Sequence, residues 1–338
     1  MSALLPVADD RPVWDIWLSS LHLPAMAVAV ELSIFDTLAP GPLTVEQLCE
    51  RLHLRPQRCE ILLRMLDSLG LLVKHEQTYQ LASVARDYLL KDGPFFWGHV
   101  WAAQVSPVQI RLREALKFEP GEPGGRPVEG WESGKMSDEM AATVTRMMNS
   151  HSMGASQGLA RSGANKGDRR LLDVGGGSGC FSIALAQQHR TMRCTIMDLA
   201  PVCRLADDYI RAAQLSDRVD TLAKDMFREA WPQGYDAVFF SNIFHDWSPT
   251  VCAELAAKTY QILPAGGHIR VHEMLLDDTG AHPRTTAAFS MLMLAGTKGQ
   301  QFTFTELAQI LTGTGFVDVT ATPTYGYYSL ISARKPSR

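Results

Sequence analysis

Between residues 55 and 70 the stretch RPQRCEILLRMLDSLG repeats apolar residues at helical spacing (Ile61, Leu62, Met65, Leu66, Leu69) and stops at Gly70. That pattern predicts a helix with one buried face and a glycine just past its end. LTVEQLCERL precedes it, with Thr44 followed three residues later by Gln47, the spacing of a capping box. Two short strand-like runs, LLVKH and YQLAS, come next. Helix, helix, hairpin is a winged-helix pattern within a front half, residues 13–90, that is otherwise helical. From residue 170 the periodicity changes. RLLDV, RCTIMD, RVDTLAKD, YDAVFFSN and GHIRVHEMLL read as strands, and helical patterns near 179–189, 201–213 and 250–262 separate them. Such alternation predicts a mostly parallel sheet with helices on both faces. The last segment, GFVDVTATPTYGYYSLISARK, lacks an intervening helix and reads as an antiparallel hairpin. KFEPGEPGGRPVEGW, rich in Pro and Gly, marks the junction. The expected domains are therefore 1–115 and 116–338, with the α/β core at about 168–338.

Composition narrows the function classes. A chain of 338 residues exceeds what one hydrophobic core usually supports. A net charge of −4 supplies no electrostatic reason for nucleic acid or an anionic membrane as partner. On the second helix Arg58 and Arg64 are offset by Glu60 and Asp67, which argues against DNA contact there. LPAMAVAVELSIF is short for a bilayer span and carries Glu31, so no membrane segment is expected. It offers more apolar surface than a small domain can bury, and contact with a second subunit would cover it. The six cysteines (Cys49, Cys59, Cys180, Cys194, Cys203, Cys252) form no CxxC pair, as expected of a reduced, cytoplasmic protein.

The chemistry is concentrated after the first strand of the second half, in LLDVGGGSG. A dinucleotide fingerprint needs G-x-G-x-x-G/A, but its third position is Cys180 in one frame and Ser182 in the other. No Gly-Lys-Ser/Thr follows, which excludes a phosphate-binding P-loop. What remains is an acid within the strand, Asp173, and glycines at alternate positions, Gly175, Gly177 and Gly179. This arrangement suits a ligand with a positive group near Asp173. Asp198 lies 23 residues after Gly175, at the end of the second strand, where a carboxylate accepts both ribose hydroxyls. Asp225 and Met226, in KDMF at the end of the third strand, fall where an adenine would rest. Carboxylates for ammonium and ribose, with an apolar wall and acceptor for adenine, together describe S-adenosylmethionine (SAM).

LLDVGGGSG, MDLAPV, KDMF, SNIFHDW and the VHE strand, in this order and spacing, resemble the SAM-dependent small-molecule O-methyltransferases of plant caffeate and flavonoid metabolism and of bacterial natural-product tailoring. The likeness covers essentially the whole chain. It implies a Rossmann-like, seven-stranded class I methyltransferase domain with an antiparallel last strand, preceded by a mainly helical winged-helix domain that forms a homodimer. It also implies that SAM is converted to S-adenosylhomocysteine and that a small aromatic acceptor is methylated. Ser152, Leu199 and Ser241 join the donor-site residues by resemblance, and Met148, Phe289 and Met293 join the acceptor pocket.

Methyl transfer from a sulfonium is an in-line displacement, so the protein must align the acceptor and take its proton. His245, just past the end of the fourth strand, is the base by this resemblance, with Glu273 at the end of the next strand orienting it. A free imidazole facing a phenol is about 3.5 pKa units short, roughly 5 kcal/mol if proton removal is complete before transfer. Concerted removal, or a carboxylate that raises the imidazole's basicity, must cover the difference; Asp246 and Glu273 are the candidates. The plant members carry a second Glu beside the base, and the matching stretch here, GQQFT, has Gln301 instead. Glutamine orients an imidazole but supplies no charge, which keeps ring-carbon or α-keto-acid C-methylation open, as well as a SAM-binding regulator without turnover. Trp97 and Trp101, spaced i, i+4 on an expected helix, serve either the pocket or the core. Met148 has the same two readings. Arg126, in a Gly-rich loop, is either solvated or pairs with an acceptor carboxylate. His268 and His272 mimic HxxxH, but on a strand they stand about 13 Å apart, too far to share one ion, so no metal is expected.

Overall fold

The computed structural model describes residues 8–101 and 105–337, and its contacts divide the chain into two compact units. One comprises residues 12–128 together with 276–303. The other comprises 129–275 and 304–338 with the first residues of the chain. The division is therefore not a single cut at residue 115. The Pro/Gly-rich stretch does hold the crossing, at 128/129, but a later segment returns to the front unit.

In the front unit a three-stranded sheet, ordered β1-β3-β2, is built from β1 (Leu43–Thr44), β2 (Leu72–His75) and β3 (Thr78–Leu81). The expected helices lie beside it at Val45–Leu52 and Pro56–Ser68. Thr44 and Gln47 form both halves of the capping box, which satisfies two otherwise orphaned N–H groups. Gly70 stands at φ +73, and the Leu71 N–H closes back on the Leu66 carbonyl to end the longer helix. Arg58 is spent on the Ala115 and Phe118 carbonyls and on Glu119, and Arg64 on Glu60. The returning segment forms the helix Arg284–Gly296, which packs on Pro56–Ser68. Nearly every position of this helix is buried, so its sequence lacks the one-sided contrast that marks an amphipathic helix. Near the start, Arg11–Glu31 is long and apolar enough by length and composition to cross a membrane, which the shorter stretch LPAMAVAVELSIF is not. In this fold half of that window is buried, and Ala25, Ala27, Val28 and Ala29 are almost wholly enclosed, as in a core helix.

The second unit carries a seven-stranded sheet: β4 (Arg170–Val174), β5 (Arg193–Asp198), β6 (Val219–Ala223), β7 (Ala237–Ser241), β8 (His268–Met274), β9 (Val317–Tyr325) and β10 (Tyr328–Arg334). Its order is β6-β5-β4-β7-β8-β10-β9. The first five strands pair in parallel, and β10 runs antiparallel to both β8 and β9. Apolar residues fill both faces, as a covered parallel sheet requires: Leu171, Leu172 and Val174 on β4 and Ala237 to Phe240 on β7 are fully buried. The order reverses at β4, so the carboxyl ends of β4, β5 and β7 open onto a topological switch point where ligands collect.

At that edge the chain turns through Gly175, Gly177 and Gly179, all at positive φ, into the helix Cys180–Gln188. A side chain at Gly179 would strike Ile196 Cδ1 at 2.3 Å, whereas one at Gly177 would meet nothing within 4 Å. Gly179 is thus demanded by the protein's own packing, and the side of the turn at Gly177 is left clear. Gly179→Ala should destabilise the fold by about 2 kcal/mol in chemical denaturation, through its φ and this collision. Unchanged stability would show that the turn is not held as described.

Candidate active site

Above the switch point lies a cavity of about 120 Å3 that opens to solvent on one side. Gly175, Met197, Asp198, Leu199, Lys224 to Phe227, Ile243, Asp246 and Trp247 line it, with Trp131 and Met136 from the segment before the long helix Asp138–Ser162. Asp198 is held at the end of β5. One oxygen accepts from the Gly177 N–H at 2.9 Å and the other from the Leu199 N–H at 2.7 Å. Burial raises its pKa to about 6, against the opposing effect of those two hydrogen bonds.

The opposite wall is aromatic. Trp247 meets Phe227 edge-on at 4.6 Å and Trp131 at 5.4 Å. Asp225 lines the cavity, but its carboxylate is already engaged by the Phe227 and Arg228 N–H groups and by the Arg228 side chain. Asp173 differs from the sequence expectation. Its carboxylate lies beneath the turn, 2.8 Å from where a side chain on Gly176 would start, and accepts from Ser182 Oγ at 2.7 Å. It is not part of the cavity lining, and burial pushes its pKa up to about 7.

His245 follows β7 within a short 3-10 turn, Phe244–Asp246, and is almost fully enclosed. Its Nδ1 stands 2.8 Å from Glu273 Oε2, and its Nε2 stands 3.8 Å from Asp246 Oδ1. The other oxygen of Glu273 collects the backbone N–H groups of Ile243 (3.1 Å), Phe244 (3.1 Å) and His245 (3.4 Å). Burial alone would lower the imidazole's pKa. The charges of Glu273 and Asp246 outweigh it, and the net shift is upward. Asp246 itself is pushed up to about 6 by burial, with His245 opposing.

From the helix Asp138–Ser162, His151 faces the same region, its pKa drawn down to about 4 by burial and by His245. Met148 Sδ lies 3.1 Å from His151 Nε2, and Ser152 Oγ lies 3.4 Å from Nδ1. Asn149 ties this helix to the glycine turn by accepting from Ser178 Oγ at 2.8 Å. Met148 is 39% exposed, which removes the core reading within this chain. Ser241, at the end of β7, is hydrogen-bonded to His272 Nδ1 at 3.1 Å and does not line the cavity.

The remaining expected residues belong to the front unit. Trp97 and Trp101 do not share a helix: they flank a single 3-10 turn, Gly98–Val100. Trp97 is exposed and Trp101 is buried. Phe289 packs on Trp14 with ring centroids 5.4 Å apart, and Met293 is buried on the same helix. Arg126 donates to the Pro127 carbonyl and borders a small cavity with Arg58, Arg111 and Glu114. Gln301 is buried, its backbone N–H bonded to Ser290 Oγ.

Sequence reasoning missed Met197, Lys224, Phe227, Ile243 and Trp247, which border the strand ends it did mark, and also Trp131, Met136 and His151. Trp131 and Met136 sit in or beside the Pro/Gly-rich stretch, where nothing periodic marks a contact. His151 carried a signal, a histidine next to Ser152 in RMMNSHS.

Comparison with known proteins agrees with this geometry. Residues 117–317 match an O-methyltransferase domain profile, and residues 14–91 match an O-methyltransferase dimerisation domain profile. The chain is 34% identical over 309 residues to the 3-hydroxy-5-methyl-1-naphthoate 3-O-methyltransferase of Streptomyces sahachiroi, covering 87% of this chain and 86% of that one. It is 30% identical over 305 residues to the L-tyrosine C(3)-methyltransferase of Streptomyces lavendulae, covering 85% and 81%. Among solved structures, an O-methyltransferase family 2 protein of Planctomyces limnophilus, crystallised with apigenin, superposes with a TM-score of 0.88 at 27% identity over 98% of both chains. With the seven-stranded sheet, the glycine turn and two profiles that together span most of its length, the chain belongs to the family of SAM-dependent O-methyltransferases.

Proposed function

We propose that this protein moves a methyl group from SAM to a hydroxyl of a small aromatic acceptor, with His245 as the general base. The carrying observation is the 2.8 Å contact of His245 Nδ1 with Glu273, next to Asp246, which lines the same cavity as Asp198 and Gly175. SAM supplies a methyl group on a positively charged sulfur, an electrophile that needs no further activation. The cavity fits its nucleoside. The space beside Gly177 leaves its backbone approachable, Asp198 presents a carboxylate for ribose hydroxyls, and Met226, Phe227 and Trp247 offer an apolar wall for adenine. Ser152 and the nearby glycine turn would hold the amino-acid end.

In the proposed reaction the Nδ1–H of His245 is directed at Glu273, which leaves Nε2 as the basic nitrogen. The base takes the acceptor's hydroxyl proton as the oxygen attacks, and the resulting imidazolium is stabilised by Glu273 and Asp246. These carboxylates shorten the gap between imidazole and phenol from the histidine side, because they raise its affinity for a proton. The naphthoate O-methyltransferase relative and the apigenin-bound neighbour support an aromatic hydroxyl as acceptor. A second reading, transfer to a ring carbon ortho to such a hydroxyl, is favoured by the tyrosine C(3)-methyltransferase relative and needs the same deprotonation. Product NMR from an acceptor panel separates the two by a methyl ether or a methyl on carbon.

Homodimer formation through the front unit also belongs to this proposal. The matched dimerisation profile supports it, as do Val13, Ile16, Trp17 and Leu23, which expose apolar surface near the chain start. A cytoplasmic site of action is proposed from six cysteines that are all buried free thiols.

Two outcomes test the site. His245→Ala should cut kcat by about a thousandfold, within the range for losing a general base, while calorimetry shows SAM affinity unchanged. Turnover that barely falls would remove the base assignment. With its pKa raised to about 6, Asp198 loses its charge, and with it the stronger charge-assisted bonds to ribose hydroxyls, as pH falls through that value. S-adenosylhomocysteine affinity should therefore weaken between pH 7 and 5, and Asp198→Asn should bind about tenfold more weakly with a flat pH dependence over that range. Wild-type binding that is flat with pH would contradict this role.

A further inference from the structure

Behind His245 lies a set of buried polar side chains that the reaction itself does not use. His272 on β8 is fully enclosed, with its ring parallel to that of Tyr328 on β10 at 11° and 5.0 Å between centroids. Thr324 Oγ1 donates to the Tyr328 carbonyl at 3.1 Å, so toward His272 Nε2, 2.8 Å away, it acts as acceptor. His272 Nδ1 is then the acceptor for Ser241 Oγ at 3.1 Å. This assignment makes His272 a neutral imidazole, and its pKa is accordingly drawn down to about 3 by burial.

The next residue after Ser241 carries the consequence. Asn242 is a non-glycine residue at φ +55, a left-handed conformation that Asn tolerates better than most side chains but at some cost. Two bonds hold it there: its N–H donates to the His272 carbonyl at 3.3 Å, and its Oδ1 accepts from the Tyr328 hydroxyl at 3.1 Å. The bend at Asn242 aims the N–H groups of residues 243, 244 and 245 at one point, and Glu273 Oε1 occupies it. With that oxygen fixed, the other meets His245 Nδ1.

We infer that Tyr328 is a positioning residue for the base: through Asn242 it sets the backbone bend that seats Glu273, and Glu273 seats His245. The inference rests on His245 acting as the base and adds to it a dependence on the C-terminal hairpin. Tyr328 is buried, and burial holds its hydroxyl well above the usual phenol range, so it remains a neutral donor at every working pH.

Among the described residues, Glu273, Asp246 and His151 act electrostatically on His245. If the seat of Glu273 loosens, its upward pull on the imidazole weakens and burial gains. The base then loses its proton at lower pH, and the acid limb of the kcat profile moves down. Tyr328→Phe should show this shift, with kcat lowered about tenfold and the SAM dissociation constant within about twofold of wild type. Asn242→Gly keeps the left-handed conformation accessible but removes the acceptor. It should give the same change, and the double variant should add nothing further. Should Tyr328→Phe not fold, Asn242→Gly carries the pH test alone. A wild-type pH profile in these variants, with or without a fall in melting temperature, alongside an inactive His245→Ala, would overturn the role of Tyr328 and leave the base in place. Full turnover by His245→Ala would overturn both.

Discussion

A single buried carboxylate organises this site. Glu273 lies next to the end of β8, and its two oxygens do different work: one gathers three backbone N–H groups of the turn after β7, and the other meets His245 Nδ1. A charge this deeply enclosed needs compensation: Oε1 takes three backbone N–H groups, and Oε2, which no hydrogen bond of good geometry satisfies, has the imidazole nitrogen 2.8 Å away. The same hydrogen bonds fix the turn, so the placement of the imidazole and the cost of burying the carboxylate share one solution. Parallel pairing of β7 with β8 sets the distance: Ser241 stands opposite His272, which leaves Glu273 one residue ahead, under the turn that leads to His245.

The donor side follows a different rule. There the sheet supplies backbone first and side chains second. The turn after β4 brings Gly175 to the cavity wall, and Asp198 at the end of β5 both accepts from the Gly177 N–H and lines the same space. Asp225, by contrast, is largely consumed by the chain itself. Arg228 bonds its carboxylate and also the Ser133 carbonyl, and so joins the end of β6 to the segment that brings Trp131 over the cavity. Asp225 therefore shapes the cavity wall through the segments it ties together.

Most of the α/β half was legible because covered parallel strands are short apolar runs broken by helical periods, and β4 and β5 fall at the residues their patterns mark. Asp198, Glu273 and His245 were legible for the same reason: each follows or ends a strand on the ligand side of the sheet. The helix Arg284–Gly296 was not, since burial on all sides erases the contrast between faces. Nor was the fate of Asp173, because alternation along a strand tells which residues share a face but not that the turn above will cover one of them. The dependence on Tyr328 joins residues 86 positions apart through a left-handed Asn, and no local pattern records such a contact.

The protonation state of His245 in the free protein tests the central claim most directly. Nitrogen-15 NMR of the imidazole reads both tautomer and titration. The account predicts a neutral ring protonated at Nδ1, with a midpoint above the ordinary histidine value of about 6.5. A ring protonated at Nε2, or one that titrates below that value, would contradict it.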